Sequence, residues 1–291
     1  MNGFYPGLDL EYVTNTDRLG IEGTELNTIV CIKQIPDPEI PPAKFRLDSE
    51  GKQVVPPEGI PPVINPYDAQ AVELALKLRD EHGGRITVLS LGDITCKSAV
   101  KRALSMGADE GIVLNDQKFE GSDSFSTAYI LTRAIQKIGK YDLILCGREA
   151  ADWDNGLVGS IIAEYLDLPL ITLAGAIDIE GDELRIKRMT LYGYQIFTVR
   201  VPAVVTTSNE VGQPRMPTGW GIISAARSQI PVWNAQDIDA DPHRIGASAA
   251  RTKLIKLFAP KRERAYEIIE GETTVEAAEK LAERLRQAGV I

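Results

Sequence analysis

The chain has 291 residues, 44% hydrophobic and 25% charged, with 17 prolines, which is the composition of a packed globular protein and not of a disordered or fibrous one. Its 41 acidic against 32 basic residues leave a net charge of −9, which argues against broad electrostatic attachment to nucleic acid or an anionic membrane but leaves room for a local anion cradle. Two histidines (His82, His243) and three cysteines (Cys31, Cys96, Cys146) without Cys-x-x-Cys spacing exclude zinc-ribbon, iron–sulfur and thioredoxin-type sites, so any redox chemistry belongs to a bound organic cofactor.

Residues 1–28 are polar, acidic and dotted with glycine. They lack a basic segment followed by an apolar one, and read as an extension ahead of the fold rather than a targeting signal. The longest weakly charged run, 161–177, is broken by Glu164, Asp167 and Pro169 and is no membrane span. With an odd number of scattered cysteines, a cytoplasmic protein is expected.

Ile29–Ile35 is a β-rich apolar run stopped by Pro36, which suits a strand buried on both faces. A small hairpin is expected around Ser49-Glu50-Gly51, and four prolines between 56 and 62 form a stiff connector that delivers Asn65-Pro66-Tyr67-Asp68. From Asp68 the apolar period becomes helical, through Ala71, Leu74, Ala75 and Leu78, and Gly83-Gly84 ends it at His82. Strand and helix then alternate: strands at 85–90, 111–114 and 141–146, helices at 98–106, 126–138 and 157–166. Short apolar strands separated by helices predict a doubly wound, mainly parallel α/β sheet. After Pro169 four strand-like runs (170–179, 184–190, 194–199 and 203–207) predict antiparallel additions. Asn209–Pro217 reads as an irregular loop, Gly219-Trp220-Gly221 as a turn, and 236–250 as a linker. Thr273-Thr274-Val275-Glu276 is a capping box opening an amphipathic helix with Val275, Ala278, Leu281 and Leu285 on one face. The chain thus divides into 1–28 as an extension, 29–235 as an α/β domain and 236–291 as a linker with a C-terminal helical arm.

Ligands of such sheets collect beyond the carboxyl ends of the strands, where the strand order reverses. The loops after Ile35, after Leu91 and after Cys146 are the candidates. The third, Gly147 to Gly159, combines glycines with a new helix whose free amides suit a phosphate, and Arg148 adds a cation. Against this stand Glu149, Asp152 and Asp154, and an ordinary connection capped by Asp or Asn remains open. The Rossmann, Walker and nucleophile-elbow fingerprints are absent. Cys31 and Cys146 lie in apolar strands and read as inert core. Trp220 and Trp233 are candidates for partner-facing anchors or for packing within the chain.

Together, Val30-Cys31-Ile32-Lys33-Gln34-Ile35-Pro36-Asp37, Asn65-Pro66-Tyr67-Asp68, Ala103-Leu104-Ser105-Met106-Gly107-Ala108-Asp109, the Gly147–Gly159 loop and Asn209–Arg215 resemble the beta subunit of electron transfer flavoprotein, also called the FixA type, from about Ile29 to Asp239. The resemblance implies an adenine-nucleotide-binding type of sheet, and a heterodimer with an alpha subunit that holds most of the redox-active FAD. It also implies a C-terminal arm clasping that partner, and electron exchange with a flavin-dependent dehydrogenase of acyl-CoA dehydrogenase type and a quinone-linked or other acceptor. It places AMP, or in bifurcating members that use NADH a second FAD, in this subunit. By carry-over the nucleotide contacts are Cys31, Asn65, Pro66, Tyr67, Asp68, Leu91, Gly147, Arg148, Glu149, Ala150, Ala151, Asp152, Trp153, Asp154, Asn155, Gly156, Leu157 and Val158, and partner docking falls to Val211, Gly212 and Gln213. Trp153 and Asn155 to Val158 depart from the family's usual loop residues, with a bulky Trp153 where glycine is common in bifurcating members, which favours AMP. Such a chain is an electron carrier and not a stand-alone enzyme. An adenine-nucleotide hydrolase or adenylyl-transferring enzyme is the competing class, and the Ser-Gly-Gly-x-Asp-Ser-like loop it needs is missing.

Overall fold

The computed structural model describes residues 25–258 and 266–291, so most of the expected 1–28 extension lies outside the described residues. Its end is not extension: the first strand, β1, runs Leu26–Ile32. The further strands of the main sheet are β2 (Gly84–Leu91), β3 (Glu110–Leu114), β4 (Leu143–Gly147), β5 (Leu170–Glu180), β6 (Glu183–Thr190), β7 (Gly193–Arg200), β8 (Ala203–Thr207) and β9 (Val232–Trp233). The helices that cover it are α1 (Pro66–His82), α2 (Lys97–Met106), α3 (Ser124–Ile138), α4 (Val158–Leu166) and α5 (Gly219–Arg227). Among the described residues the strand order is β7-β6-β5-β8-β4-β1-β2-β3-β9. Neighbours from β5 to β9 along this order pair in parallel, and β6 and β7 are antiparallel additions at one edge.

β1 shows why the apolar runs are continuous. Val30 and Ile32 join Leu74, Val88, Leu143 and Leu145 in the core on one face of the sheet, while Ile29 and Cys31 join Leu89, Ile130, Ile144 and Ile162 on the other. A strand covered twice has no polar position to alternate with. The hairpin around residue 50 is present as two short strands, Arg46–Leu47 and Val54–Val55.

Two expectations are corrected. Gly219-Trp220-Gly221 is the first turn of α5 and not a free turn: the Thr218 hydroxyl accepts the Gly221 amide at 3.0 Å, which is an N-cap. The segment read as a linker from Gln236 is stitched down as far as Thr252. Asp116 accepts the Ala235 amide at 3.0 Å, the Tyr129 hydroxyl accepts the Asp241 amide at 3.1 Å, and Arg244 lies 4.0 Å from the centre of the Tyr129 ring. Asp123, the N-cap of α3, also accepts the amides of Arg251 (2.7 Å) and Thr252 (3.0 Å).

The chain divides into two units, one ending at Ile255 and one beginning at Lys256. In the second, α6 (Thr274–Gln287) starts at the expected cap, where the Thr273 hydroxyl accepts the Glu276 amide at 3.2 Å and the Glu276 carboxylate accepts the Glu272 amide at 2.8 Å. Within this unit Val275 and Leu281 stay exposed, so the amphipathic face of α6 is not covered by its own residues.

Asp123→Ala removes a cap and the anchor of residues 251–252 together. We expect a stability loss of about 1–2 kcal/mol in denaturant unfolding. Faster proteolytic cleavage near Arg251 should accompany it, with the far-ultraviolet circular dichroism of the sheet retained.

Candidate functional site

The chain leaves β1 to build β2 and β3 on one side, then returns to place β4 on the other, so the strand order reverses between β1 and β4. At their carboxyl ends Cys31 and Cys146 stand in register. The first turn of α1 lies across both ends. Asp68 accepts the Lys33 amide at 2.7 Å with one carboxylate oxygen and the Gly147 amide at 3.1 Å with the other. A Cβ on Gly147 would collide with that carboxylate and come within 2.8 Å of the Tyr67 carbonyl carbon, so glycine is required for the approach. The single Thr207 hydroxyl proton is shared between the carbonyls of Tyr67 (3.3 Å) and Cys146 (3.4 Å), tying β8 to the same point. Burial pushes the Asp68 carboxyl up to about 7, against the two amides, Asn65 and the Lys33 charge, which all favour its ionised form. The Cys146 thiol is pushed well above its usual range by its hydrogen bond with Cys31 and by burial, which fits an inert thiol.

Asn65 holds the loop that comes after β4. Its side-chain amide donates to the Glu149 carbonyl at 2.8 Å and its side-chain oxygen accepts the Ala151 amide at 3.1 Å, while its own backbone amide donates to the Lys33 carbonyl at 2.9 Å. The acidic residues that would repel a phosphate are partly neutralised. Asp152 is gripped by the Lys33 ammonium at 2.6 Å, and Glu149 pairs with Arg148 at 2.7 Å, whose guanidinium sits 5.2 Å from the Tyr67 ring centre. Asp154 is exposed, in the left-handed region at φ 50°, and its amide donates to the Ala150 carbonyl at 2.8 Å.

Beyond Asp154 the loop departs from an ordinary connector. The amides of residues 155 to 160 find no acceptor among the described residues, and the N-cap of α4, Leu157, offers no side-chain cap. α3 and α5 are capped by Asp123 and Thr218, whereas α1 and α2, like α4, start without a side-chain cap. The side chain of Asn155 turns instead to the Ser124 hydroxyl, at 3.4 Å. Six consecutive amides without an acceptor and the positive end of a helix dipole therefore lie beside the switch point, a geometry that suits an anion.

The structure brings most of the expected site residues together: Cys31, Asn65–Asp68, Leu91 at the end of β2, and Gly147–Val158 all lie at this edge. It does not bring Val211 there or to the surface. Val211 is a core side chain, 4% exposed, and its carbonyl accepts the Lys77 ammonium at 2.8 Å, while Gly212 and Gln213 face solvent. Lys33 and Thr207 are additions that the sequence pattern does not point to as site residues. Lys33 carries a signal, a lone cation at the end of a buried strand facing an acidic loop; Thr207 carries none.

A mainly parallel, doubly wound sheet with an anion-accepting helix start at its switch point defines a class, the nucleotide-type α/β proteins. The sequence profile of the electron transfer flavoprotein domain matches residues 54–238. The chain is 39% identical over 267 residues to the electron transfer flavoprotein subunit beta of Thermoanaerobacterium thermosaccharolyticum, covering 91% of this chain and all of that one. It is 34% identical to subunit CarD of the caffeyl-CoA reductase-Etf complex of Acetobacterium woodii, with the same coverage, and 33% identical over 243 residues to protein FixA of Azorhizobium caulinodans, covering 81% of this chain and 85% of that one. The chain belongs to the electron transfer flavoprotein family, on its beta-subunit and FixA side.

Because folding raises the Asp68 pKa from 3.8 to about 7, the native state holds this proton more firmly than the unfolded chain between those values. The contribution of Asp68 to stability should be full below pH 4, fall by up to about 1.4 kcal/mol per pH unit towards 7, and then level off. Asp68→Asn should lack this slope, so the wild-type minus variant difference in unfolding free energy, measured by denaturant titration at pH 5 and pH 8, should shrink at the higher pH. A difference that is constant or grows contradicts the assignment.

Proposed function

We propose that this chain works as the beta half of a heterodimer with an electron transfer flavoprotein alpha subunit, in the cytoplasm, and that residues 147–158 hold the phosphate of a structural AMP. The observation that carries the nucleotide reading is the uncapped run of amides from residue 155 to residue 160. The loop residues fit such a group: the amides of Asn155, Gly156, Leu157 and Val158 would take the phosphate, with Gly156 at φ 60° turning the chain into the helix. Asn65 and Asp68 act one step back, holding the loop and the strand ends in place. FAD, shared with or held mainly by the alpha subunit, supplies the redox chemistry, and this chain orients it and docks the donors and acceptors.

Electrons would pass between a dehydrogenase of acyl-CoA dehydrogenase type and a quinone-linked or other acceptor. The exposed apolar residues nearest the expected docking segment are Met216 and Trp220, at 78% and 82% exposed, followed by Ile222 and Ile223. Exposed apolar side chains of this kind support partner docking. They move the docking reading a few residues beyond Val211, next to Gly212 and Gln213. Among the described residues no helix is long and apolar enough to cross a membrane.

A second reading, a bifurcating complex using NADH with a second FAD in place of AMP, is favoured by the 34% identity to CarD of the caffeyl-CoA reductase-Etf complex. Extraction of the purified heterodimer and chromatography decide between them: one FAD and one AMP supports the first, two FAD the second. Neither nucleotide at this subunit's share overturns both.

Asn155→Asp should separate folding from binding. A carboxylate ahead of α4 supplies the missing negative charge at its amino end, so the melting temperature of the nucleotide-free protein should hold or rise. The same charge competes with phosphate, and AMP affinity by calorimetry should fall about tenfold.

A further inference from the structure

Lys33 follows directly on β1, and both of its backbone groups are held. Its amide donates to Asp68 at 2.7 Å and its carbonyl accepts the Asn65 amide at 2.9 Å. The side chain therefore starts from a fixed point, and its ammonium donates to the two oxygens of Asp152 at 2.6 and 2.8 Å. Among the described residues no other group donates to that carboxylate, whose side chain is 17% exposed. The contact ties the end of β1 to the middle of the loop that leads into α4. The other bonds of the loop are separate from it. Asn65 holds the Glu149 carbonyl and the Ala151 amide, and the amides of Trp153 and Asp154 close back on the Ala150 carbonyl.

Three carboxylates precede the unbonded amides of residues 155–160. Glu149 is paired with Arg148, Asp154 is exposed, and Asp152 has Lys33 as its one cation. Asp152 lies three residues before Asn155, and three residues of chain span at most about 10 Å. That is about one Debye length at 0.1 M salt, so a free carboxylate there is not screened from an anion seated on the amides. It would repel the anion and compete for the positive end of α4. We propose that Lys33 is a positioning residue for the nucleotide phosphate, acting through Asp152: it neutralises that carboxylate and draws it to the end of β1, and so leaves the amides of the α4 start to the anion. Lys33 itself does not bond the phosphate. The assignment rests on reading residues 147–158 as the phosphate site.

The test uses the heterodimer with its alpha subunit, freed of bound nucleotide and titrated with AMP by calorimetry. Lys33→Met should weaken AMP binding about tenfold at 0.1 M salt, because the Asp152 charge is then uncompensated. At 0.5 M salt the ratio to wild type should fall below about threefold, since screening relieves repulsion. Asp152→Asn should bind AMP at least as tightly as wild type, to within about twofold, and Lys33→Met/Asp152→Asn should match Asp152→Asn. A double variant as weak as Lys33→Met overturns the proposal, because Lys33 then acts on the phosphate itself. A ratio that does not change with salt also overturns it, since that marks lost loop structure and not repulsion. Hydrogen exchange of residues 151–154 in the nucleotide-free heterodimer should rise at least about fivefold in Lys33→Met. Unchanged exchange shows that Lys33 does not hold Asp152 and overturns the proposal without reference to any nucleotide. A wild-type heterodimer that binds no AMP ends the phosphate reading instead, and the role of Lys33 towards a phosphate ends with it.

Discussion

Asp68 accepts the Lys33 and Gly147 amides on its two oxygens, and those bonds join the ends of β1 and β4 to the first turn of α1. Strand ends at a switch point diverge, because the chain departs from β1 in one direction and from β4 in the other. Something must satisfy the last amides on both sides of the gap. A short acidic side chain entering from the helix satisfies both and draws α1 so close that residue 147 has no room for a side chain. With α1 seated there, the neighbouring Asn65 is within reach of the Glu149 carbonyl and the Ala151 amide. The path of the loop, and hence the direction in which the start of α4 presents its amides, depends on one buried carboxylate.

The uncapped start of α4 acquires meaning in this setting. α4 begins with three unbonded amides, Val158 to Ser160, and three more precede it in residues 155–157; Asp123 and Thr218 satisfy part of the corresponding set at α3 and α5, while α1 and α2 lack a side-chain cap as α4 does. The sequence supplies Asp152, Asp154 and Asn155 within a few residues of α4, any of which is a favoured cap, yet each is engaged elsewhere or faces solvent. Asp152 is taken by Lys33, Asp154 turns outward through its left-handed backbone, and Asn155 reaches towards α3. Three potential caps withheld from one helix is the arrangement expected where an external anion completes the cap.

The parallel core was legible because double burial leaves a strong mark: β1, β2, β4 and β8 are mostly apolar, and the buried polar side chains within them are the small hydroxyls Thr28, Thr87, Ser90, Thr206 and Thr207. The loop was legible in composition but not in path, since Asn65 lies 84 and 86 residues from the backbone groups it holds and no local pattern encodes such a pairing. α5 was hidden by two glycines in its first turn, whose low helix propensity outweighed the Thr218 cap in a reading by pattern. Residues 236–252 read as linker because they are polar, yet their anchors are polar too: Asp116, Asp123 and Tyr129 bind backbone amides, and such bonds leave no hydrophobic period. Val211 shows the opposite error. Carry-over from the resemblance assigns it to partner docking, but Lys77 holds its carbonyl against α1 and its side chain is buried in the core.

α1 therefore has two duties that its sequence separates by position. Asn65 and Asp68 at its start set the loop after β4, and Glu73, Lys77 and Asp80 along its body hold Val211 and Arg215 in the segment that leads to α5. At 1.5 Å per residue the 17 residues of the helix span about 25 Å, so one rigid element fixes the distance between the two surfaces. Its central side chains Val72, Leu74, Ala75, Leu76 and Leu78 are buried, which prevents the helix from sliding or rotating to adjust one end without the other. An anion that completes the cap of α4 would stabilise the loop gripped by Asn65, and α1 ties that loop to the backbone of Val211 and Arg215.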